Sequence, residues 1–260
     1  MTDSTQTKPQ RDKALRKGAY LLPSLFTVGN IALGFYAVVL ALEGDYRPAI
    51  LLIFLAAFLD GLDGRIARVT QTESDFGREY DSLADVITFG VGPALLAYLW
   101  GLEHLDRIGW FAPLFYIVCA ATRLARFNIN TRVADKRFFV GLPAPAGAGA
   151  VGSVLYFASF GEPGPFTRGL LLTVLVLVSL LMVSNFRYYS FKELDPRRRW
   201  SFRIGVPIAL VILALAFSPA GVFLTVSGSY ALSGPTAWLR GLLRRGSSNA
   251  ERVVKAGEES

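Results

Sequence analysis

Four aspartates form two closely spaced pairs, Asp60 with Asp63 and Asp81 with Asp85. The first pair is three residues apart and the second four, so in a helix each pair lies on one face. Four converging carboxylates would repel one another, and burial would add to that cost. Divalent cations relieve both effects, and carboxylate oxygens are the ligands that Mg²⁺ and Mn²⁺ prefer. The spacing therefore predicts a site for two divalent cations beside a phosphate-bearing substrate, whose charge they would neutralise.

Small residues accompany the aspartates. Gly64 and Ala67 lie on the helical face of the first pair, and Gly77 precedes the second pair by one turn. Residues of this size let a second backbone or a ligand come close. Arg68 follows Gly64 by one further turn, where its guanidinium could bind a phosphate. The alternative is that the aspartates are solvated groups at helix ends, paired with nearby arginines as surface charges commonly are.

The elements that must carry these residues are membrane-spanning helices. Of the 260 residues, 52% are hydrophobic and 18% are charged, against about 25% charged in soluble domains. Apolar runs of roughly 20 residues, the length that spans a bilayer, follow one another without a polar module between them. We expect an all-α integral membrane protein of about eight helices, over residues 20–42, 48–69, 81–100, 108–127, 145–160, 166–186, 202–217 and 220–238. The last pair, interrupted by Ser227–Ser229 and Pro235, is also compatible with a re-entrant hairpin.

The domain organisation follows from these spans. We expect a basic N-terminal segment over residues 1–19, a transmembrane catalytic domain over 20–240 and a polar tail over 241–260. The aspartates fall near the ends of the second and third helices, where an ionisable group costs a few kcal/mol unless it faces a cavity and binds something. Cys119 and His104 are the only residues of their types, which excludes an intramolecular disulfide and a Cys/His zinc site.

Charge asymmetry orients the bundle. With the N-terminus inside the cell, the inner segments hold all of the 27 lysines and arginines except Arg47, Arg107 and Arg168. The positive-inside rule then places the N-terminus and the aspartates at the cytoplasmic face of the cell (inner) membrane, in a multi-pass protein. This distribution and anionic headgroups account for the net charge of +7. Nucleic acid is not an expected partner, because no basic domain interleaved with aromatic residues occurs.

The segment from Asp60 to Asp85, DGLDGRIARVTQTESDFGREYDSLAD, resembles the CDP-alcohol phosphatidyltransferase signature, D-x2-D-G-x2-A-R-x8-G-x3-D-x3-D, at all eight fixed positions. The resemblance implies a six-helix catalytic core, a homodimer and a metal site open to the cytoplasmic leaflet. It implies that the four aspartates hold two Mg²⁺ or Mn²⁺ ions, that Asp85 takes the acceptor's proton, and that CMP leaves. The catalytic residues would be Arg68, Asp81 and Asp85, and the CDP-binding residues Thr27, Asn30, Asp60, Asp63, Gly64, Ala67, Arg68, Gly77 and Asp81.

Further segments resemble the phosphatidylserine synthase branch of this family. They are LLPSLFTVGNIALGFYAV from Leu21, YDSLADVITFGVGPALL from Tyr80, RLARFN from Arg123, FVGLPAPAGAG from Phe139 and SNFRYYSFKE from Ser184. The branch implies CDP-diacylglycerol and L-serine as substrates, in contact with membrane lipids. Serine carries a carboxylate, which a guanidinium can bind in a bidentate way. The predicted acceptor-binding residues are therefore Arg123 and Arg126, with Asn128, Arg187 and Tyr188 as further polar contacts.

Several alternatives stay open. The arginines near the acceptor would equally satisfy the positive-inside rule, and Thr27 and Asn30 would either contact the nucleotide or bridge helices. Another acceptor, namely glycerol 3-phosphate, inositol phosphate or a lipid alcohol, would suit the same basic residues. A cation transporter would also place aspartates in the membrane. Against it, the aspartates lie at one membrane face and no repeat occurs. A structural scaffold would leave the cost of the aspartates unexplained.

Overall fold

The computed structural model describes residues 8–70, 75–130, 138–189 and 213–258, with side chains within 25–62, 76–129, 140–186 and 213–238 and at Tyr188. The helices are α1 (Lys8–Leu42), α2 (Tyr46–Thr70), α3 (Asp75–Asp85), α4 (Gly92–Trp100), α5 (Asp106–Asn130), α6 (Ala144–Ala158), α7 (Pro165–Val183) and α8 (Pro219–Glu258). A π-helical segment, Val86–Val91, joins α3 to α4, and a 3-10 turn, Leu102–His104, precedes α5. Strands β1 (Phe138–Val140) and β2 (Arg187–Tyr189) form an antiparallel ribbon.

The predicted helical membrane fold is confirmed. Four stretches of the described chain are long and apolar enough to cross a bilayer, namely Leu25–Leu42, Phe76–Trp100, Asp106–Ile129 and Pro165–Val183. Helix α6 is apolar but shorter. The first six predicted helices correspond to α1, α2, the α3–α4 unit, α5, α6 and α7.

The two ends of the chain are more helical than expected. Helix α1 begins at Lys8, so the predicted basic segment leads directly into the first span; Pro9 suits the first turn of a helix, where its missing N–H costs nothing. Helix α8 continues through Pro235 to Glu258, so the eighth predicted helix is unbroken and includes most of the predicted tail. Of the seventh predicted helix, only 213–217 lie among the described residues, and they are helical.

The third predicted span is not one continuous α-helix, because Pro93 interrupts its hydrogen bonds. Proline has no N–H, so Pro93 cannot donate to the Phe89 carbonyl four residues earlier. The Tyr116 hydroxyl of α5 donates to that carbonyl instead, at 3.0 Å. The Gly92 N–H donates to the carbonyl of Ile87, five residues earlier, which is the spacing of a π-helix. This segment begins directly after Asp85, and π-helical turns often accompany functional sites.

Helix α1 packs closely against the π-helical segment. The Thr88 hydroxyl donates to the Asn30 carbonyl of α1 at 3.0 Å. A Cβ placed on Gly34 would lie 2.7 Å from the Thr88 hydroxyl oxygen and 2.9 Å from its Cα. Only a glycine fits this approach without a shift of one backbone. The part of α1 that carries the predicted nucleotide contacts Thr27 and Asn30 is therefore held beside the segment that follows Asp85.

Helix α6 lies in the interior of the bundle, where it contacts α2, α7 and α8. Its residues are mostly glycine and alanine, and most of them are buried. A Cβ on Gly152 would lie 3.0 Å from the ring of Phe54 in α2. In a membrane, where apolar lipid gives helices no hydrophobic reason to associate, such close backbone approaches supply much of the packing energy.

Candidate active site

Three of the four predicted metal ligands converge in the structure. Asp60 lies on α2, and Asp81 and Asp85 lie one turn apart on α3. Each offers a carboxylate oxygen within 4.8 Å of the other two. Asp85 is buried, with 8% of its surface exposed, whereas Asp60 and Asp81 are half-buried. Three carboxylates held this close repel one another unless cations bind between them, and their hard oxygens suit Mg²⁺ or Mn²⁺.

The remaining signature residues lie on the helices that carry these aspartates. Asp63, Gly64, Ala67 and Arg68 belong to α2, and their side chains lie outside those the structure describes. Their roles in metal and CDP binding stay predictions. Gly77, on α3 one turn before Asp81, is half-buried.

Two predicted CDP-binding residues face the interior from α1. Thr27 and Asn30 are 5% and 1% exposed, respectively. Neither the amide oxygen nor the amide nitrogen of Asn30 has a hydrogen-bond partner among the described residues. Leaving such a group unsatisfied costs about 1–3 kcal/mol. The Thr88 hydroxyl contacts only the backbone carbonyl of Asn30. The amide group of the Asn30 side chain can therefore still form hydrogen bonds with a polar ligand. Its contact with CDP stays a prediction.

Arg123 is a predicted acceptor-binding residue that interacts electrostatically with two of the aspartates. It is 7% exposed on α5, and the charges acting on it include Asp85 and Asp60. Its guanidinium carbon lies 5.3 Å from the centroid of the Phe127 ring, within the range of a cation–π contact. A buried cation beside the carboxylate cluster is placed to bind an anionic group that enters the site.

Arg126 lies one turn from Arg123, but its side chain contacts backbone carbonyls of the protein. Its guanidinium donates to the carbonyls of Val183 and Ser184 at the end of α7, at 3.1 and 3.0 Å, and to that of Val140 in β1 at 3.0 Å. It also reaches the Met182 carbonyl at 3.4 Å and the Asn185 side-chain oxygen at 3.3 Å. Cations at a helix C-terminus satisfy its free carbonyls and its dipole. The structure therefore shows Arg126 joining α5, α7 and the ribbon.

The other predicted acceptor contacts also meet protein groups. Asn128 donates to Glu79 at 3.1 Å and to Ser82 at 2.9 Å, which ties α5 to α3. The Tyr188 side chain is fully buried and its hydroxyl donates to the Ala231 carbonyl at 3.1 Å. Burial raises the pKa of Tyr188 to about 12, so it remains a donor at neutral pH. Arg187 lies in β2 opposite Val140, and its side chain lies outside those described.

Sequence patterns did not indicate the π-helical segment or Tyr230. Pro93 is a local signal for the former, since a proline inside an apolar run must leave one carbonyl free. Tyr230 lies on α8, with its ring centroid 5.3 Å from that of Tyr188, and its phenol is among the groups acting electrostatically on Arg123. No motif marks it, because its position depends on how α8 packs.

Comparisons with known proteins identify the family to which the chain belongs. A CDP-diacylglycerol–serine O-phosphatidyltransferase of Helicobacter pylori is 40% identical over 222 residues, which cover 85% of this chain and 92% of that protein. One of Mycobacterium tuberculosis is 45% identical over 213 residues, 78% of this chain and 74% of its own length. One of Bacillus subtilis is 37% identical over 172 residues, 66% of this chain and 92% of its own. The family model for CDP-alcohol phosphatidyltransferases matches residues 20–184, which include every aspartate of the cluster. The chain belongs to the CDP-alcohol phosphatidyltransferase family.

Proposed function

We propose that this membrane protein transfers the phosphatidyl group of CDP-diacylglycerol to the hydroxyl of L-serine, giving phosphatidylserine and CMP. The observation that carries the proposal is the convergence of Asp60, Asp81 and Asp85 with the buried Arg123 beside them. Its support is family membership and the three similar proteins named for this reaction. The family also favours an enzyme over a cation transporter.

In the proposed reaction, Asp85 accepts the proton of the serine hydroxyl. The serine oxygen forms a bond to the phosphorus nearer the lipid while the bond from that phosphorus to the CMP oxygen breaks. Asp60, Asp63, Asp81 and Asp85 would hold two Mg²⁺ or Mn²⁺ ions, which when bound neutralise charge on the diphosphate. Burial of Asp85 and its fixed place at the end of α3 hold the base near the attacking oxygen. Positioning and electrostatics of this kind supply most of the rate in such transfers.

Arg123 gives the site its preference for an acceptor with an anionic group. A buried guanidinium forms stronger, bidentate hydrogen bonds with a carboxylate than with a neutral polyol. Beside Asp85, it would bind the serine carboxylate and leave the hydroxyl facing the base. Arg68 would bind the diphosphate, and Thr27, Asn30, Gly64, Ala67 and Gly77 would surround the nucleotide.

The proposal includes a location and an assembly. The protein lies in the cell (inner) membrane with its N-terminus and active site facing the cytoplasm, where serine is available. It acts as a homodimer, as the family resemblance implies.

Release of CMP from CDP-diacylglycerol by the purified full-length protein tests the function. We expect release that requires both L-serine and Mg²⁺ or Mn²⁺ and stops when a chelator is added. Glycerol 3-phosphate, inositol phosphate and a lipid alcohol are offered in parallel. Faster CMP release with one of these compounds than with serine would identify that compound as the acceptor. Cation flux into liposomes without any CMP release would contradict the proposal that the protein is an enzyme.

A further inference from the structure

Helix α3 is short, at 11 residues, yet it carries two of the three converging carboxylates. Oxygens of Asp81 and Asp85 lie within 4.8 Å of each other and of an oxygen of Asp60 on α2. Side chains reach about 5 Å from a helix axis, so a rotation of α3 by about 10° moves a carboxylate oxygen by about 1 Å. Mg²⁺ requires oxygen ligands at about 2.0–2.1 Å in nearly octahedral geometry. A metal site on α3 therefore needs contacts that fix the rotation of this helix.

The π-helical segment provides one such contact at the end of α3. The Thr88 hydroxyl donates to the Asn30 carbonyl of α1 at 3.0 Å. Thr88 lies three residues beyond Asp85, so this bond fixes the chain directly after the second aspartate. It does not by itself fix the turns that precede Asp85.

Asn128 of α5 contacts those preceding turns. Its amide nitrogen donates to the Glu79 carboxylate at 3.1 Å and to the Ser82 hydroxyl at 2.9 Å. A primary amide has two N–H groups, and the two acceptors are three residues apart, on one face of α3. The Ser82 hydroxyl donates in turn to the Arg78 carbonyl at 3.0 Å. The amide therefore joins α5 to two successive turns of α3.

These contacts lie on both sides of the aspartates of α3. Asp81 lies between Glu79 and Ser82 in the chain. Asp85 follows Ser82 by one turn and precedes Thr88 by one turn. Each aspartate of this helix thus has a hydrogen-bonded residue on either side of it, so neither can rotate away from the cluster without breaking a contact to α5 or to α1.

We propose that Asn128 is a positioning residue of the metal site, whose amide holds α3 in the rotation at which its two aspartates meet Asp60. The inference rests on the part of the proposed function in which the cluster binds metal. It gives Asn128 a role other than the direct acceptor contact that the sequence predicted. A neutral amide suits this role, because a lysine or arginine bound to Glu79 would repel the divalent ions nearby.

The affinity of the full-length protein for Mn²⁺ tests the proposal, measured from the electron paramagnetic resonance signal of unbound Mn²⁺. Removing a group that orients metal ligands typically lowers metal affinity 10–100-fold. Asn128 acts through the helix and not on a ligand atom, so we expect Asn128→Ala to raise the Kd for Mn²⁺ about tenfold. The Mn²⁺ concentration for half-maximal CMP release should rise by the same factor. The KM for serine at saturating Mn²⁺ should stay unchanged.

Two further variants isolate the amide contact. Ser82→Ala removes one acceptor and should raise the Kd for Mn²⁺ by a smaller factor. Combined with Asn128→Ala it should add nothing, because the two residues share the contact. Asn128→Asp keeps the size of the side chain, removes both donors and adds a negative charge. Added negative charge alone would strengthen cation binding, so weaker Mn²⁺ binding in this variant would report lost positioning.

Tyr46→Phe is the matched control for a lost hydrogen bond between helices. The Tyr46 hydroxyl of α2 donates to the Leu99 carbonyl of α4 at 2.9 Å, and this bond is part-buried like that between Asn128 and Ser82. Tyr46 precedes Asp60 by 14 residues, about 21 Å along the helix. Both Tyr46→Phe and Asn128→Ala should lower the thermal unfolding midpoint, but only Asn128→Ala should weaken Mn²⁺ binding.

The outcomes separate this inference from the proposed function. If the wild-type protein binds no Mn²⁺, the proposed metal site fails and the inference fails with it. If it binds Mn²⁺ but releases no CMP with serine, the reaction fails, and the Mn²⁺ affinities still decide the role of Asn128. Wild-type Mn²⁺ affinity in Asn128→Ala, or in Ser82→Ala where the former does not fold, would overturn the inference alone. A raised serine KM with unchanged Mn²⁺ affinity would support the direct acceptor contact instead.

Discussion

Asp85 differs from Asp60 and Asp81 in burial, and this difference supports its proposed role as the base. It is 8% exposed, while Asp60 and Asp81 are half-buried. A buried carboxylate beside the attacking hydroxyl is a better base than one that water can solvate. Asp85→Asn keeps the shape and removes the base, so we expect kcat to fall by about 10²–10⁴-fold.

The Asp85→Asn variant should also respond differently to metal. Removing one carboxylate relieves repulsion within the cluster, so the thermal unfolding midpoint without metal should rise, and the increase on adding Mg²⁺ should be smaller than in the wild-type protein. Asp45→Asn, in the exposed turn after α1, is the matched control. An active Asp85→Asn protein with an unchanged metal response would contradict the assigned role.

Arg126 is a positioning residue in this structure. Arg126→Ala would leave carbonyls of α7 and β1 without their donor, at a cost of about 1–3 kcal/mol each where they stay buried. We expect a lower thermal unfolding midpoint and a lower kcat. Arg126→Lys keeps the charge at the helix C-terminus, but a lysine cannot reach several carbonyls at once. The unfolding midpoint of this variant should therefore lie between those of the wild-type and Arg126→Ala proteins. An Arg126→Ala protein with a normal midpoint and a raised serine KM would instead support a direct acceptor contact.

Prediction at the residue scale succeeded where the pattern is local. The aspartate spacing fixes which carboxylates share a helical face, and the structure brings three of them together. For Arg126 and Tyr188, composition and spacing were insufficient. Their partners, such as Ser184 for Arg126 and Ala231 for Tyr188, lie far away in the chain, and only helix packing brings them within hydrogen-bonding distance.

At the scale of elements, α1 and the π-helical segment are packed so closely that a shift of one displaces the other. Gly34→Ala would place a methyl group 2.7 Å from the Thr88 hydroxyl oxygen. Because the Thr88 backbone is equally near, a change of rotamer cannot relieve the clash. Thr88 follows Asp85 by one turn, so a shift of the segment also displaces the base. We expect Gly34→Ala to lower both the thermal unfolding midpoint and kcat.

The same helix provides the control. Gly29→Ala adds the same methyl group where no atom lies within 4 Å, and alanine favours a helix over glycine by about 0.8–1 kcal/mol. Its midpoint should therefore be equal to or above that of the wild-type protein, with normal CMP release. Equal midpoints for the Gly34→Ala and Gly29→Ala variants would show that α1 can move away from the segment without cost.

Hydropathy was sufficient to predict where helices occur, but it did not predict where a helix is interrupted or continues. The six apolar runs before residue 190 all appear as helices, since a bilayer requires backbone hydrogen bonds to be satisfied within each span. The π-helical segment depends on Tyr116 of another helix to satisfy the Phe89 carbonyl. Helix α8 continues through Pro235 without a break. Because a proline by itself predicts a break, the continuity of this helix depends on its packing against the rest of the protein.

At the scale of the whole molecule, the contacts separate into two ends. At one end, the Arg47 guanidinium donates to the Ser159 carbonyl at 3.2 Å and lies 3.7 Å from the centroid of Phe160, so the α1–α2 and α6–α7 turns meet. At the other end, Arg126 joins α5 to α7 and the ribbon. This alternation agrees with the order of spans used to assign inner and outer loops, and it puts the aspartate-bearing end opposite Arg47.

The orientation of these ends is itself testable with single cysteines. Cys119 is buried, and Cys119→Ala provides a background without reactive thiols. We expect Asp45→Cys and Gly161→Cys, in exposed turns at the Arg47 end of the bundle, to react with a membrane-impermeant maleimide in intact cells. Arg78→Cys, exposed on α3 near the aspartates, should react only after the membrane is permeabilised. The physical reason is the excess of lysine and arginine at the aspartate-bearing end, which disfavours its translocation. Labelling of Arg78→Cys from outside, with protection of the other two, would invert the topology and separate the carboxylate cluster from cytoplasmic serine.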